Sequence, residues 1–364
     1  MNQISRYKHI DSLRGIAVLL VIWLHVSEVY IHLSSSVKEK GIFLYDLAWY
    51  INSGRIGVII FFSISGFVLL KSIKGEKING TKTFLIRRFF RLYPAFWLSI
   101  ILGVFVIHLK GESMDINGII ANITMLPLIF NQEMIIGVYW TLEAEILFYL
   151  MGLCLFLLGK SDKPIKLFII SMLLLIIFIP IRKLALNYPQ HIGVALLPFH
   201  LSIMFWGALF RQYYDNPNLR VIILNKEVAI KSLFQVLTLA ILIIPFASFI
   251  KGLVAYEFKF IQFGLSNIIG IFIFLLLTSY VRIKNKYIVW VGTISYSLYL
   301  FHPIIFMLLL YWLQNDAPAI LSELHLSVYI IVNIIFSIIF SSIVYCFIEK
   351  PSINLAHHLT SYEK

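Results

Sequence analysis

Long apolar stretches recur along the whole chain, and charged residues are gathered between them. Ten stretches approach the roughly 20 residues that carry a helix across a bilayer. They lie near residues 13–33, 54–71, 90–109, 138–159, 164–182, 192–211, 229–250, 260–281, 287–313 and 326–348. The segment 116–131 is apolar but short, which suits a re-entrant or interfacial piece. No internal repeat, low-complexity tract or soluble domain interrupts the series. The pattern predicts an all-α polytopic membrane protein of about ten transmembrane helices. One membrane domain covers residues 1–350, and a short cytoplasmic tail covers 351–364.

Composition agrees. Of the 364 residues, 60% are hydrophobic and 13% charged, against about 25% charged in a soluble domain. The first apolar run is too long for a cleavable signal peptide, and no small-residue cleavage site follows it. Net charge is +12, but the basic residues sit between spans, as topology requires, and do not imply nucleic acid. With the N-terminus inside, the inner segments hold 22 of the 30 lysines and arginines, from Arg6 to Lys364, and the outer segments hold 8. That bias puts both termini in the cytoplasm and requires an even number of spans. Cys154 and Cys346 fall inside predicted spans and read as small apolar core residues. No zinc-type spacing of His, Cys, Asp or Glu appears, so no metal ligands are assigned.

The first span, DSLRGIAVLLVIWLHVSEVYIH, carries Arg14 at its start and His25 eleven residues further on. At about 100° and 1.5 Å per residue, both project from nearly one face, and the histidine lies roughly 16 Å deeper. A titratable group that deep usually faces a bundle interior or a wet cavity and serves a function. The plainer reading is a core histidine satisfied by a neighbouring hydroxyl. Asp11 can pair with Arg14 at i, i+3. In FLIRRFFRLYP, Arg88 and Arg91 share a face at the opening of the third span. Two guanidiniums there suit a phosphate-rich ligand, and equally a lipid headgroup.

The fourth span opens GVYWTLEAEILFYL. Trp140 falls near the outer interface, where tryptophan commonly sits. Glu143 and Glu145 are two residues apart and cannot share a face. Glu145 lies roughly 7 Å below Trp140, at a depth compatible with a pair to His25. Such a carboxylate would orient the imidazole, although each group can also find separate hydroxyl partners. His200 and His302 are weaker candidates, because serines and tyrosines nearby can satisfy them. Pro303 after His302 signals a kink with freed backbone groups. Ser63, Ser65 and Gly66 read as a close helix contact or a bend.

Taken together, these motifs resemble the acyltransferase 3 family of polytopic bacterial membrane enzymes. DSLRGIAVLLVIWLH is similar to its opening, with a basic residue ten before a histidine. GVIIFFSISGF resembles its second-helix motif, FLIRRFFRLYP its arginine pair, and YWTLEAEILFY its tryptophan-to-glutamate segment. ISYSLYLFHP and YCFIEKP, with Glu349 and Pro351, resemble its last two helices. Ile59 stands where the family often has a polar or acidic residue, so no role carries over there. The C-terminal esterase-like domain of some members is also missing, which marks a stand-alone form.

The resemblance implies an O-acyltransferase in the bacterial cytoplasmic (inner) membrane, working without a permanently bound cofactor. The donor would be a cytoplasmic acyl-CoA, most often acetyl-CoA. The acceptor would be a hydroxyl of a lipid-linked or exported surface glycan, with glycan-assembly proteins as further partners. Arg14, Arg88 and Arg91 would hold the donor. His25 would act as general base or acyl carrier, oriented by Glu145. Asp11, Trp140, Tyr149 and His302 would line the substrates, with Tyr149 as a candidate oxyanion donor. The rival reading is a glycan transporter or flippase without covalent chemistry, since buried His, Arg and Glu also build relays and substrate pathways.

Overall fold

The apolar runs do fold as helices. The structure is a computed structural model that describes residues 7–185 and 192–361. Arg6 and Lys364, at the two ends of the charge pattern, lie outside the described residues. In chain order the first helices are α1 (Lys8–Tyr30), α2 (Ser35–Tyr50), α3 (Ser53–Leu69), α4 (Lys77–Leu109) and α5 (Ile116–Ile123). Next come α6 (Trp140–Leu157), α7 (Pro164–Ala185), the single turn α8 (Ile192–Ala195) and α9 (Leu197–Asp215). A two-stranded hairpin follows, β1 (Arg220–Ile223) and β2 (Lys226–Ala229). The chain continues as α10 (Ile230–Ala255), α11 (Phe258–Ser279), α12 (Lys286–Thr293), α13 (Ser295–Asn315), α14 (Leu326–Val344) and α15 (Lys350–Leu359). A π-helical turn, Tyr345–Glu349, links α14 to α15.

Among the described residues, nine helical segments are long and apolar enough to cross a membrane. The protein is therefore an all-α polytopic membrane protein. The tenth expected span, 192–211, forms α9, whose 19 residues reach about 28 Å at 1.5 Å per residue. Its length suffices, but Arg211, Gln212 and Asp215 make it too polar for the apolar class. Protein replaces lipid around it: every residue from Phe199 to Phe210 is buried. A helix solvated by its neighbours does not need an apolar exterior.

Three other features depart from the sequence reading. The ninth span, 287–313, breaks at Ile294 into α12 and α13. Residues 35–50, expected as an outer loop, form α2, capped by Ser34 Oγ accepting from Val37 N at 3.3 Å. Cys154 and Cys346 are exposed rather than in the core, since each faces outward from its helix. The short apolar segment beginning at residue 116 provides α5, only eight residues long.

The chain forms two compact units. The first comprises Met1–Ile60, Ile86–Tyr139 and Phe272–Lys364, and the second Phe61–Leu85 and Trp140–Ile271. Helix α1 is the hub of the first unit and packs on α2, α12, α13 and α14. Its approach to α12 is backbone against backbone. A Cβ on Gly292 would sit 1.7 Å from the Asp11 carbonyl oxygen, and one on Gly15 would sit 2.6 Å from that of Ile288. Small residues at such crossings let helices approach without a driving force from water. In the second unit, α9 is the hub and packs on α6, α7 and α10. There a Cβ on Gly66 would sit 1.8 Å from the Met204 carbonyl oxygen, which makes the SISG segment a close helix contact.

Candidate active site

Within the first unit, α1 brings three candidates into one structure. Arg14 Nη1 lies 3.5 Å from Asp11 Oδ1, so the i, i+3 pair forms. Asp11 is buried because α12 covers it at Gly292. The guanidinium of Arg14 also acts, together with that of Arg91, on the carboxylate of Glu349. Glu349 is only 3% exposed and ends the π-helical turn, a feature that tends to occur at functional sites. Ser297 Oγ, at the start of α13, donates to Glu349 Oε2 at 2.6 Å. The same region is tied to α4. Tyr296 Oη donates to the Leu92 carbonyl at 2.8 Å, Ser352 Oγ to that of Phe90 at 2.7 Å, and Arg87 Nε to Thr360 Oγ1 at 3.0 Å. Arg88 and Arg91 are both half-buried in this stretch of α4. Glu349 thus supplies a negative charge within electrostatic reach of both the Arg14 and Arg91 guanidiniums.

His25 lies three turns further along α1 and is half-buried. Its Nδ1 is 3.0 Å from Nε2 of His302 on α13, and their planes differ by 5°. The ring centroids are 5.4 Å apart, so the nitrogens are closer than the centres by about two imidazole radii. The rings therefore meet edge to edge along a straight hydrogen bond, the geometry in which such a bond is strongest. His302 is 1% exposed, and its Nδ1 lies 3.1 Å from the Leu298 carbonyl. A partly accessible imidazole bonded through one nitrogen keeps the other available for proton transfer.

The second unit holds the remaining candidates. Tyr149 Oη donates to Glu145 Oε1 across one turn of α6, and Ser65 Oγ approaches the same oxygen at 3.5 Å. Trp140 packs beside His200 at 5.1 Å between centroids and beside Phe62 at 5.9 Å. His200 is buried among Phe62, Trp140 and Phe199. Glu143 is buried as well, while Glu145 is half-buried.

Sequence reasoning singled out His25 and His302 but did not join them, since 277 residues separate the two. It named Glu349 only as part of a motif and passed over Ser297. The available signal was a glutamate at the end of an apolar run, which is costly unless paired.

No curated protein and no solved structure matches the chain. A family model described as an acyltransferase domain matches residues 7–346. That match takes in His25, His302, Arg14, Arg88, Arg91 and Glu145. With nearly the whole chain covered, the protein belongs to the acyltransferase 3 family and is a multi-pass membrane acyltransferase.

Proposed function

We propose that this acyltransferase moves an acetyl group from cytoplasmic acetyl-CoA to a hydroxyl of a lipid-linked or exported surface glycan. It would do so in the bacterial cytoplasmic membrane, with both termini inside. The observation that carries this reading is the arrangement along α1. Arg14 stands at one end, paired with Asp11 and, like Arg91, within electrostatic reach of Glu349. His25 stands roughly 16 Å away along the same helix, with one ring nitrogen engaged and the ring still half-buried. A CoA donor has the matching shape, with phosphates at one end and a thioester at the end of a thin arm. Arg14, Arg88 and Arg91 bind the phosphates through charge-assisted hydrogen bonds.

The reaction balances with His25 as the one proton carrier. Its free nitrogen takes the acceptor hydroxyl proton as that oxygen attacks the thioester carbonyl. The tetrahedral intermediate expels the thiolate, the C–S bond breaks, and the imidazolium returns its proton to sulfur. The products are the glycan ester and free CoA.

The test uses purified protein with acetyl-CoA and a glycolipid extract of bacterial membranes, scoring acceptor-dependent release of CoA. His25→Ala is expected to abolish release, and mass spectrometry is expected to find the acetyl ester only with the intact histidine. Movement of glycan without thiol release would favour the flippase reading instead.

A further inference from the structure

Which nitrogen of His25 carries its proton decides whether the free one is a base, and the surroundings of His302 settle the matter. His302 Nδ1 faces an acceptor, the carbonyl of Leu298, at 3.1 Å. A carbonyl at a ring nitrogen requires a proton on it. In the neutral ring the lone pair then lies on Nε2, which points at His25 Nδ1 at 3.0 Å. His25 Nδ1 must therefore be the donor, and its lone pair lies on Nε2. The ring of His302 is held in turn. It lies against that of Tyr299, whose hydroxyl donates to the Val138 carbonyl at 3.0 Å.

We infer that His302 is a positioning residue for acyl transfer: it locks His25 as the Nδ1–H tautomer, so that Nε2 faces the reaction as the base. This rests on the reading of His25 as the proton acceptor. A neutral imidazole fills the place that a carboxylate takes in the familiar Ser–His–Asp triad. It fixes tautomer and ring orientation without burying a negative charge in the membrane, where an unpaired charge is costly. When His25 takes up a proton, the resulting imidazolium still donates through Nδ1 to the same lone pair, now as a charge-assisted bond.

The experiment has two arms. Nitrogen NMR of the histidine-labelled full-length protein in detergent is expected to show scalar coupling across the His25–His302 hydrogen bond, with the proton on His25 Nδ1. A proton on His25 Nε2, or no coupling, overturns the inference. Kinetics with acetyl-CoA and the same glycolipid extract form the second arm. His302→Leu is expected to lower kcat by about 10²–10⁴ with the KM for acetyl-CoA unchanged, since a wrong tautomer costs up to about 10⁴. His302→Gln, whose amide oxygen accepts where Nε2 did, is expected to recover at least tenfold over His302→Leu. Equal rates for His302→Leu and the parent refute the lock. If His302→Leu does not fold, the labelling arm alone decides, by the proton found on His25 Nδ1 or on His25 Nε2. Activity in His25→Ala would instead overturn the underlying reading of His25, whatever the His302 variants do.

Discussion

Replacing Gly292 by alanine tests whether the closeness of α1 and α12 matters to the site. In an exposed helix the change would favour stability by up to about 1 kcal/mol, because alanine is the better helix former. Here the added Cβ meets the Asp11 carbonyl oxygen at 1.7 Å, and real Cβ contacts essentially never fall below 3.0 Å. The helices must part by at least 1.3 Å at that point. The obstacle is backbone, so no side chain can turn aside. Overpacking of this kind costs about 1–3 kcal/mol, which outweighs the gain in propensity. The displaced turn carries Asp11, and Arg14 follows three residues later. A misplacement of about 1 Å can cost on the order of 10² in rate. Gly292→Ala is therefore expected to lower the melting temperature in detergent and to cut kcat/KM for acetyl-CoA by ten- to a hundredfold. Gly137→Ala is the control. A Cβ there meets nothing within 4 Å, and an effect within about 0.5 kcal/mol is expected. A Gly292→Ala protein that melts and turns over like the parent would show that α1 yields freely, and the argument from close packing would fail.

Three further expectations follow from the same geometry. Glu349→Ala takes the buried acceptor from Ser297 and removes a charge within reach of Arg14 and Arg91, and is expected to destabilise by about 1–3 kcal/mol, read by thermal unfolding. Glu349→Gln keeps an acceptor for Ser297 and should cost less, so equal losses would refute the hydrogen-bond argument. Arg88→Ala and Arg91→Ala are each expected to raise the KM for acetyl-CoA about tenfold with kcat nearly unchanged, the worth of one charge-assisted hydrogen bond; a fall in kcat alone would move these residues off the donor. Gly66→Ala forces a methyl to within 1.8 Å of the Met204 carbonyl oxygen and is expected to cost about 1–3 kcal/mol, measured as reduced resistance to thermal aggregation. An unchanged profile would contradict the close approach of α3 to α9.

How much of this was legible in the sequence depended on the range of the signal. Apolar length announced the spans, and i, i+3 spacing announced the Asp11–Arg14 pair, because both are local. Residue polarity alone marked His25, since a buried titratable group needs a reason. The partner of that histidine was not legible. Depth arguments pointed to Glu145 and did not weigh His302, because two residues on different helices share no periodicity. In the structure the hydrogen bond of His25 goes to His302, and those of Glu145 go to Tyr149 and Ser65. Helix α2 was missed because lysines and a glutamate interrupt its apolar positions. The β1–β2 hairpin was missed because its turn, Leu224–Asn225, uses two non-glycine residues with φ of 47° and 62°, where glycine is the usual signal.

The polarity of α9 has a consequence for how this protein is made and mapped. A segment read by the insertion machinery one at a time is judged on its own hydropathy, and α9 scores poorly on that test. Its apolar surroundings come from α7, synthesised before it, and α10, synthesised after it. Reporter fusions cut just after Asp215 would therefore sample a nascent chain that lacks the α10 part of the cover for α9. Such fusions are expected to report mixed sidedness, whereas fusions beyond Ala255 include the second neighbour and should give one answer. Biogenesis of the middle of this chain is in that sense a joint act of three helices.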